Sequence, residues 1–298
     1  MLLALDVGNT QTVVGVFDDA LGPTAARAER RAGELPGLVQ SWRVATVADR
    51  TADEHALLLD GLLRLAGLGV SGSTSSARVA PSGVAEGSFG VVDGIAVSSS
   101  VPAVTAALRQ MVATWFDVPV VVVGPGVQVG MPILYDDPRE VGADRVVNAV
   151  AALDLFGGPA IVVDLGTATT FDAISAAGEY LGGAIVPGIE ISMNALFEHA
   201  AALRRVELVA PEAVIGRTPV QSMQSGAVFG YASLVEGLCT RMQAELGEAT
   251  VIATGGLAGL VVPFAKIVSH HEPWLTLHGL RLVFARNAGA LSLRTGAR

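Results

Sequence analysis

Residues 2–10, LLALDVGNT, and residues 160–170, AIVVDLGTATT, are two versions of one pattern. Each is an apolar run ending in Asp, an apolar residue, Gly, a polar residue and threonine. The two aspartates, Asp6 and Asp164, stand 158 positions apart, close to half of the 298-residue chain. An apolar run of four or five residues broken by Asp-x-Gly reads as a buried strand entering a tight turn. After each turn β-prone residues resume: Thr12-Val13-Val14-Gly15-Val16-Phe17 in the first copy, Thr169-Thr170-Phe171-Asp172-Ala173-Ile174 in the second. A turn of a few residues between such runs makes a β-hairpin. The pattern predicts two domains, 1–157 and 158–298, each opening with a hairpin.

Outward from the hairpins, helical periodicity covers 53–68, 102–116, 142–156, 188–203 and 219–246. Strands are expected at 91–98, 119–123 and 250–254. In 142–156, Val146, Val147, Val150, Ala151 and Leu153 share one face at helical spacing. Strands alternating with helices imply an α/β fold. Residues 69–89, rich in Gly, Ser and Ala and without periodicity, are expected to form a flexible surface insertion.

Composition narrows the function. With 51% hydrophobic and 16% charged residues the chain has ample material for large cores and is not disordered throughout. Its net charge of −9 argues against a nucleic-acid partner, which needs clustered Lys and Arg to neutralise phosphates. The one cysteine, Cys239, excludes an intrachain disulfide framework or Cys-rich zinc site, and its helical context reads as core. His55, His199, His270, His271 and His278 share no metal-ligand spacing, and His270-His271 reads as a solvated pair. MLLALDVGNTQ lacks a basic leader region, and no apolar run reaches the roughly 18 to 20 residues that cross a bilayer. A cytoplasmic, membrane-free protein is expected. Lys266, the only lysine, follows no Gly-rich loop, so a phosphate loop of the G-x-x-x-x-G-K-[ST] type is excluded. Any nucleotide phosphate must be held by backbone N–H groups, hydroxyls, Arg or metal ions.

Four segments carry the chemistry such a site needs. Asp6-Val7-Gly8-Asn9-Thr10-Gln11 gathers donors around a glycine turn, and Asp6 can hold a hydrated Mg²⁺ against phosphates. Alone it also reads as a capped turn. The second copy, Asp164-Leu165-Gly166-Thr167-Ala168-Thr169-Thr170, adds three threonines that a mere turn does not require. Gly142-Ala143-Asp144-Arg145 opens the 142–156 helix. There Asp144 either complements the helix dipole or acts as general base toward a substrate hydroxyl, and Arg145 is either a surface ion-pair partner or a bidentate anion ligand. Thr254-Gly255-Gly256-Leu257-Ala258 takes a strand into a glycine pair against which a purine can lie flat.

Together, DVGNT, YDDPREVGADR, DLGTATTFD, YLGGAIVPGI, MQSGAVFGY and ATGGLA occur in an order and spacing that resemble type III pantothenate kinase from Leu2 to about Leu293. That family belongs to the acetate and sugar kinase, Hsp70 and actin superfamily. The resemblance implies two duplicated ribonuclease H-like (actin-like ATPase) domains with a cleft between them, phosphorylation of pantothenate by ATP as the first step of coenzyme A synthesis, and a homodimer. It implies ATP contacts from Asp6, Val7, Gly8, Asn9, Thr10, Gln11, Thr12, Val13 and Thr167. Pantothenate would be bound by Tyr135, Gly142, Ala143, Asp144 and Arg145, with Asp144 as general base. Asp164 would help hold K⁺ or NH₄⁺, required besides Mg²⁺. One position departs: where the family has a substrate-contacting Thr, this chain has Pro219, which has neither hydroxyl nor N–H, so the role falls to Thr218 or is lost. A related kinase for another hydroxyl substrate and a silent regulatory relative are the alternatives. Asp6, Asp144, Arg145 and Asp164 speak against loss of catalysis, and GADR beside Tyr135 against another substrate.

Overall fold

The structure, a computed structural model, describes residues 1–18, 34–68, 88–200 and 203–295. Most of the expected 69–89 insertion lies outside these residues; at its end Ser88–Val91 form a single 3-10 turn. Each half of the chain builds a five-stranded mixed sheet of the same topology. In the first, β1 (Leu2–Val7), β2 (Gln11–Phe17) and β3 (Leu38–Ala45) form an antiparallel meander, while β4 (Gly94–Ser99) and β5 (Val120–Val122) extend the sheet in parallel beyond β1. The second repeats this with β6 (Ala160–Leu165), β7 (Ala168–Ile174) and β8 (Tyr180–Pro187), then β9 (Thr250–Thr254) and β10 (His270–His271). Parallel neighbours need crossover connections, which helices supply. The helices of the first half are α1 (Ala52–Leu65), α2 (Pro102–Trp115) and α3 (Ala143–Phe156), of which α3 leads on to the second sheet. Those of the second half are α4 (Ile189–His199), α5 (Pro219–Leu246), α6 (Ala258–Val261) and α7 (Leu275–Thr295).

Local chemistry sets the helix starts. The Thr51 side chain accepts from the Glu54 N–H while the Glu54 carboxylate reaches back to the Thr51 N–H, a reciprocal cap for α1. Helices α2 and α5 begin with proline at N1, where no N–H is missed.

The period of two along the central strands decides where the aspartates point. Leu3, Leu5 and Val7 pack into the core beneath α1 and α2, whereas Leu2 and Ala4 face the layer that also holds α3 and α7. Asp6 continues the Leu2–Ala4 face. In β6, Ile161, Val163 and Leu165 join the core of the second half's own helices, while Ala160 and Val162 face the shared layer. Asp164 continues that face. Both aspartates therefore sit where the central layer between the sheets opens to solvent.

Three of the longer elements went unforeseen. Strand β3, at the sheet edge, has its apolar residues interrupted by Gln40, Ser41 and Arg43, and β8 carries two adjacent glycines, so neither has a continuous apolar run. Helix α7 lies buried against α3 and against β1, β4 and β5 of the first sheet, so it shows no single apolar stripe. Helix α3 likewise differs from the expected one-faced pattern: Arg145 through Ala152 are all buried, because α7 and strands of both sheets surround it. His270 is exposed and His271 half-buried. They form the short edge strand β10, and His270 stacks on Phe156 with ring centroids 4.3 Å apart. Cys239 is a core residue, its thiol pushed up to about 12 by burial, which removes it as a nucleophile.

Candidate active site

The tips of the two hairpins meet across a cleft of about 270 Å³, near the low end of small-molecule sites, roughly 300–1,000 Å³. Thr10 Oγ1 and Thr167 Oγ1 are 3.0 Å apart, so the threonines that follow the two Asp-x-Gly turns touch although 157 residues separate them. Asp6, Gly8, Asn9, Thr10, Gln11 and Val13 line the cleft from one side, and Asp164, Gly166 and Thr167 from the other. Val7 and Thr12 do not. The Val7 side chain is buried in the core under α1, and Thr12 hydrogen-bonds Thr46, which in turn donates to the Gly8 carbonyl and fixes the turn. The glycine pair after β9 also lines the cleft. Gly255 has φ +97° and approaches Asp164 so closely that a Cβ would meet the carboxylate.

Asp144 completes the acidic floor from the first turn of α3. Its Oδ1 accepts from the Arg145 N–H at 2.9 Å, and a Cβ on Gly142 would sit 2.6 Å from that oxygen, so the glycine leaves the carboxylate its room. Desolvation and the neighbouring Asp144 and Asp164 carboxylates push the Asp6 pKa up to about 8. Desolvation and Asp144 raise Asp164 to about 7, against a hydrogen bond from Asn148 Nδ2 at 2.9 Å. Burial and neighbouring carboxylates that oppose the ionisation of Asp6 and Asp164 make a site that favours added positive charge.

Arg145 points the other way from the expected surface pair. Its Nε donates to Asp172 Oδ1 at 2.8 Å, and Asp172 is fully buried, accepting also from Tyr180 Oη at 2.8 Å and Thr170 Oγ1 at 3.2 Å. Burial raises the Asp172 pKa to about 6 against the pull of Arg145. Arg145 Nη2 is buried without a hydrogen-bond partner, an orphaned charged donor that a native interior rarely tolerates without a ligand. The bidentate anion grip expected of Arg145 is therefore narrowed, since Nε is already committed to Asp172. Tyr135 stands over this cluster, its ring 6.5 Å from that of Tyr180 and against Gly182, outside the cleft that Asp6 lines. Thr218 is the N-cap of α5 and accepts from the Gln221 N–H at 3.2 Å, with Pro219 as the first helical residue.

Several cleft residues escaped the sequence reading: Arg43 on β3, Glu190 on α4, and Trp274 and Thr276 at the start of α7. Asn148, which clamps Asp164 and accepts from Thr276 Oγ1 at 2.8 Å, escaped it too. None of them stands in a short motif, and only the pairing register and the placement of α7 bring them to the cleft.

A duplicated pair of five-stranded sheets with helices on their faces is the fold shared by actin, Hsp70 and the sugar kinases. A solved structure described as a Baf family transcriptional activator from Campylobacter jejuni shares it, with a TM-score of 0.51 at 16% identity over 96% of this chain and 99% of that one. The likeness is one of fold alone.

Residues 2–241 match the family model for type III pantothenate kinase. The type III pantothenate kinase of Streptomyces avermitilis is 51% identical over 96% of this chain and 98% of its own, and that of Streptomyces coelicolor 49% identical over 98% and 100%. The chain belongs to the type III pantothenate kinase family and is an ATP-dependent phosphotransferase.

Proposed function

We propose that this chain transfers the γ-phosphoryl group of ATP to the primary hydroxyl of pantothenate, with its labour divided between the two hairpins and the start of α3. The observation that carries this division is the convergence of Asp6, Asp144 and Asp164 beneath the touching Thr10 and Thr167 hydroxyls. The hairpin N–H groups and hydroxyls hold the polyphosphate, and the Gly255-Gly256 backbone faces the nucleoside. The Asp144 carboxylate takes the hydroxyl proton as the pantothenate oxygen bonds to the γ-phosphorus. The bond from that phosphorus to the bridging oxygen breaks, and ADP leaves with its electron pair. Arg145 Nη2 meets the pantothenate carboxylate while Asp172 and Tyr180 fix the guanidinium, and Tyr135 covers the outer end.

The hard oxygen donors fit the cations. Asp6 would hold Mg²⁺ together with ATP, and Asp164 a monovalent K⁺ or NH₄⁺. Bound there, such ions supply positive charge against the phosphoryl oxygens. Among the described residues no group of three or more His, Cys, Asp and Glu side chains has metal-site spacing, so phosphate oxygens would complete the coordination. A coupled ADP-release assay with ATP, Mg²⁺ and pantothenate, run in potassium and in sodium, tests the assignment. Turnover should require pantothenate and collapse in sodium; turnover indifferent to pantothenate, or equal in both salts, overturns the substrate or the Asp164 role respectively.

A homodimer belongs to the same proposal. Ile185 on β8 is 63% exposed, and Val214 and Ile215 before α5 are 66% and 85% exposed, a set of large apolar side chains suited to an interface. Thr218, whose oxygen accepts from the helix, keeps its hydroxyl proton for pantothenate bound in the partner copy. Light scattering should give twice the chain mass, and an Ile215→Asp variant should shift it toward monomer with loss of turnover. A fully active monomer is the contrary outcome. A cytoplasmic location fits the use of ATP, and among the described residues no helix is long and apolar enough to cross a membrane.

A further inference from the structure

The cleft confronts a polyanion with acidic walls. Asp6, Asp144, Asp164 and Glu190 line it, and among the described residues that do so Arg43 is the only cationic side chain. The single lysine, Lys266, is not among them. The β-register explains how a residue on an edge strand comes to face this site. Asp6 pairs with Val13 across β1 and β2, and Val13 pairs with Arg43 across β2 and β3. Directly paired residues share a face, so Asp6, Val13 and Arg43 form one row pointing into the cleft. All three line it. Arg43 Nη1 donates to Gln11 Oε1 at 3.0 Å, which ties the guanidinium to the tip of the first hairpin, and the same nitrogen lies 3.1 Å from where a Gly256 Cβ would be. The gap between the first hairpin and the nucleoside-facing glycines is thus spanned by a guanidinium with donors left over, since Gln11 is its one hydrogen-bond partner among the described residues.

The duplication supplies an internal control. In the second sheet the matching row runs Asp164, Thr170, Ile185. An exposed isoleucine fills the place of Arg43, so the shared architecture does not require a cation there.

We infer that Arg43 is the cation that binds the polyphosphate of ATP in this kinase, taking the place a lysine fills in phosphate-loop enzymes. Guanidinium forks suit phosphate oxygens, and their charge-assisted hydrogen bonds are about twice as strong as neutral ones. Gln11 orients the fork from the turn, and the guanidinium lies against the backbone of Gly256. The inference rests on the ATP-dependent activity alone and not on the roles given to Asp144 or Arg145.

Arg43→Gln and Arg43→Lys, on an exposed strand position, are the variants to make in the full chain. Calorimetric titration with ATP, ADP and AMP, without pantothenate, reads binding; steady-state kinetics read KM for each substrate and kcat. Arg43→Gln should weaken ATP and ADP at least about tenfold, as expected for a lost charge-assisted contact. AMP affinity and the KM for pantothenate should stay within about twofold, and Arg43→Lys should recover part of the loss. Unchanged ATP affinity in Arg43→Gln overturns the inference. So does an equal loss for ATP, AMP and pantothenate, which would mark Arg43 as a support of the hairpin. If Asp144→Asn abolishes turnover while Arg43→Gln binds ATP normally, the proposed general base survives and the Arg43 assignment alone fails.

Discussion

Asp144→Asn is expected to lower kcat at least about a hundredfold while leaving the KM for ATP within a few-fold of the original. Asparagine keeps the side-chain shape and can still accept from the Arg145 N–H that now binds Oδ1, so the first turn of α3 should be preserved. What it loses is a basic oxygen within reach of the pantothenate hydroxyl, and general-base contributions run about 10²–10⁴-fold. Circular dichroism and thermal melting would show the fold intact. Turnover close to that of the original chain would sink the assignment of Asp144 as base. A loss confined to KM for pantothenate would instead make it a binding residue.

The second large effect separates activity from stability at one position. Asp164→Asn should cost most of the turnover in potassium yet make the ligand-free protein more stable at about pH 8. The folded state holds the Asp6 and Asp164 protons up to about 8 and 7, well above the ordinary aspartate value of 3.8. Between about pH 4 and pH 8 the folded chain therefore binds more protons than the unfolded one, and stability must fall as pH rises through that window. Removing one of the opposed carboxyls relieves this. A rise in melting temperature of at least about 2 °C is expected at about pH 8, where 1 kcal/mol corresponds to roughly 2–4 °C for a chain of a few hundred residues. At about pH 4 the gain should vanish, because the original Asp164 is then neutral as well. A lower melting temperature at every pH would mean that Asp164 serves chiefly as the acceptor of Asn148, and the charge-repulsion account would be wrong. Natural chains retain such frustrated clusters where ligands later relieve them, and added ATP with Mg²⁺ should stabilise the original protein more than the variant.

The amino-acid sequence determined by itself that the fold is duplicated. The paired Asp-x-Gly turns with their flanking apolar runs are local patterns, and local patterns fix strands, turns and the helix start at Gly142 without reference to the rest of the chain. It also determined that no lysine loop could hold phosphate, because one lysine in the wrong context is a matter of counting. The Asp6, Asp144 and Asp164 group was legible for the same reason, each lying in a short motif. The tertiary structure alone decided the rest. Arg43 reaches the cleft through a pairing register between β2 and β3, whose partners are not adjacent in sequence. Asn148 reaches Asp164 because α3 is enclosed on every side, which its apparent single face concealed. Arg145 turns inward because Asp172, 27 residues further on and itself accepting from the Tyr180 hydroxyl, is a buried acceptor beside it. In each case the energy comes from desolvated contacts between distant segments, and such contacts leave no periodic trace in the sequence.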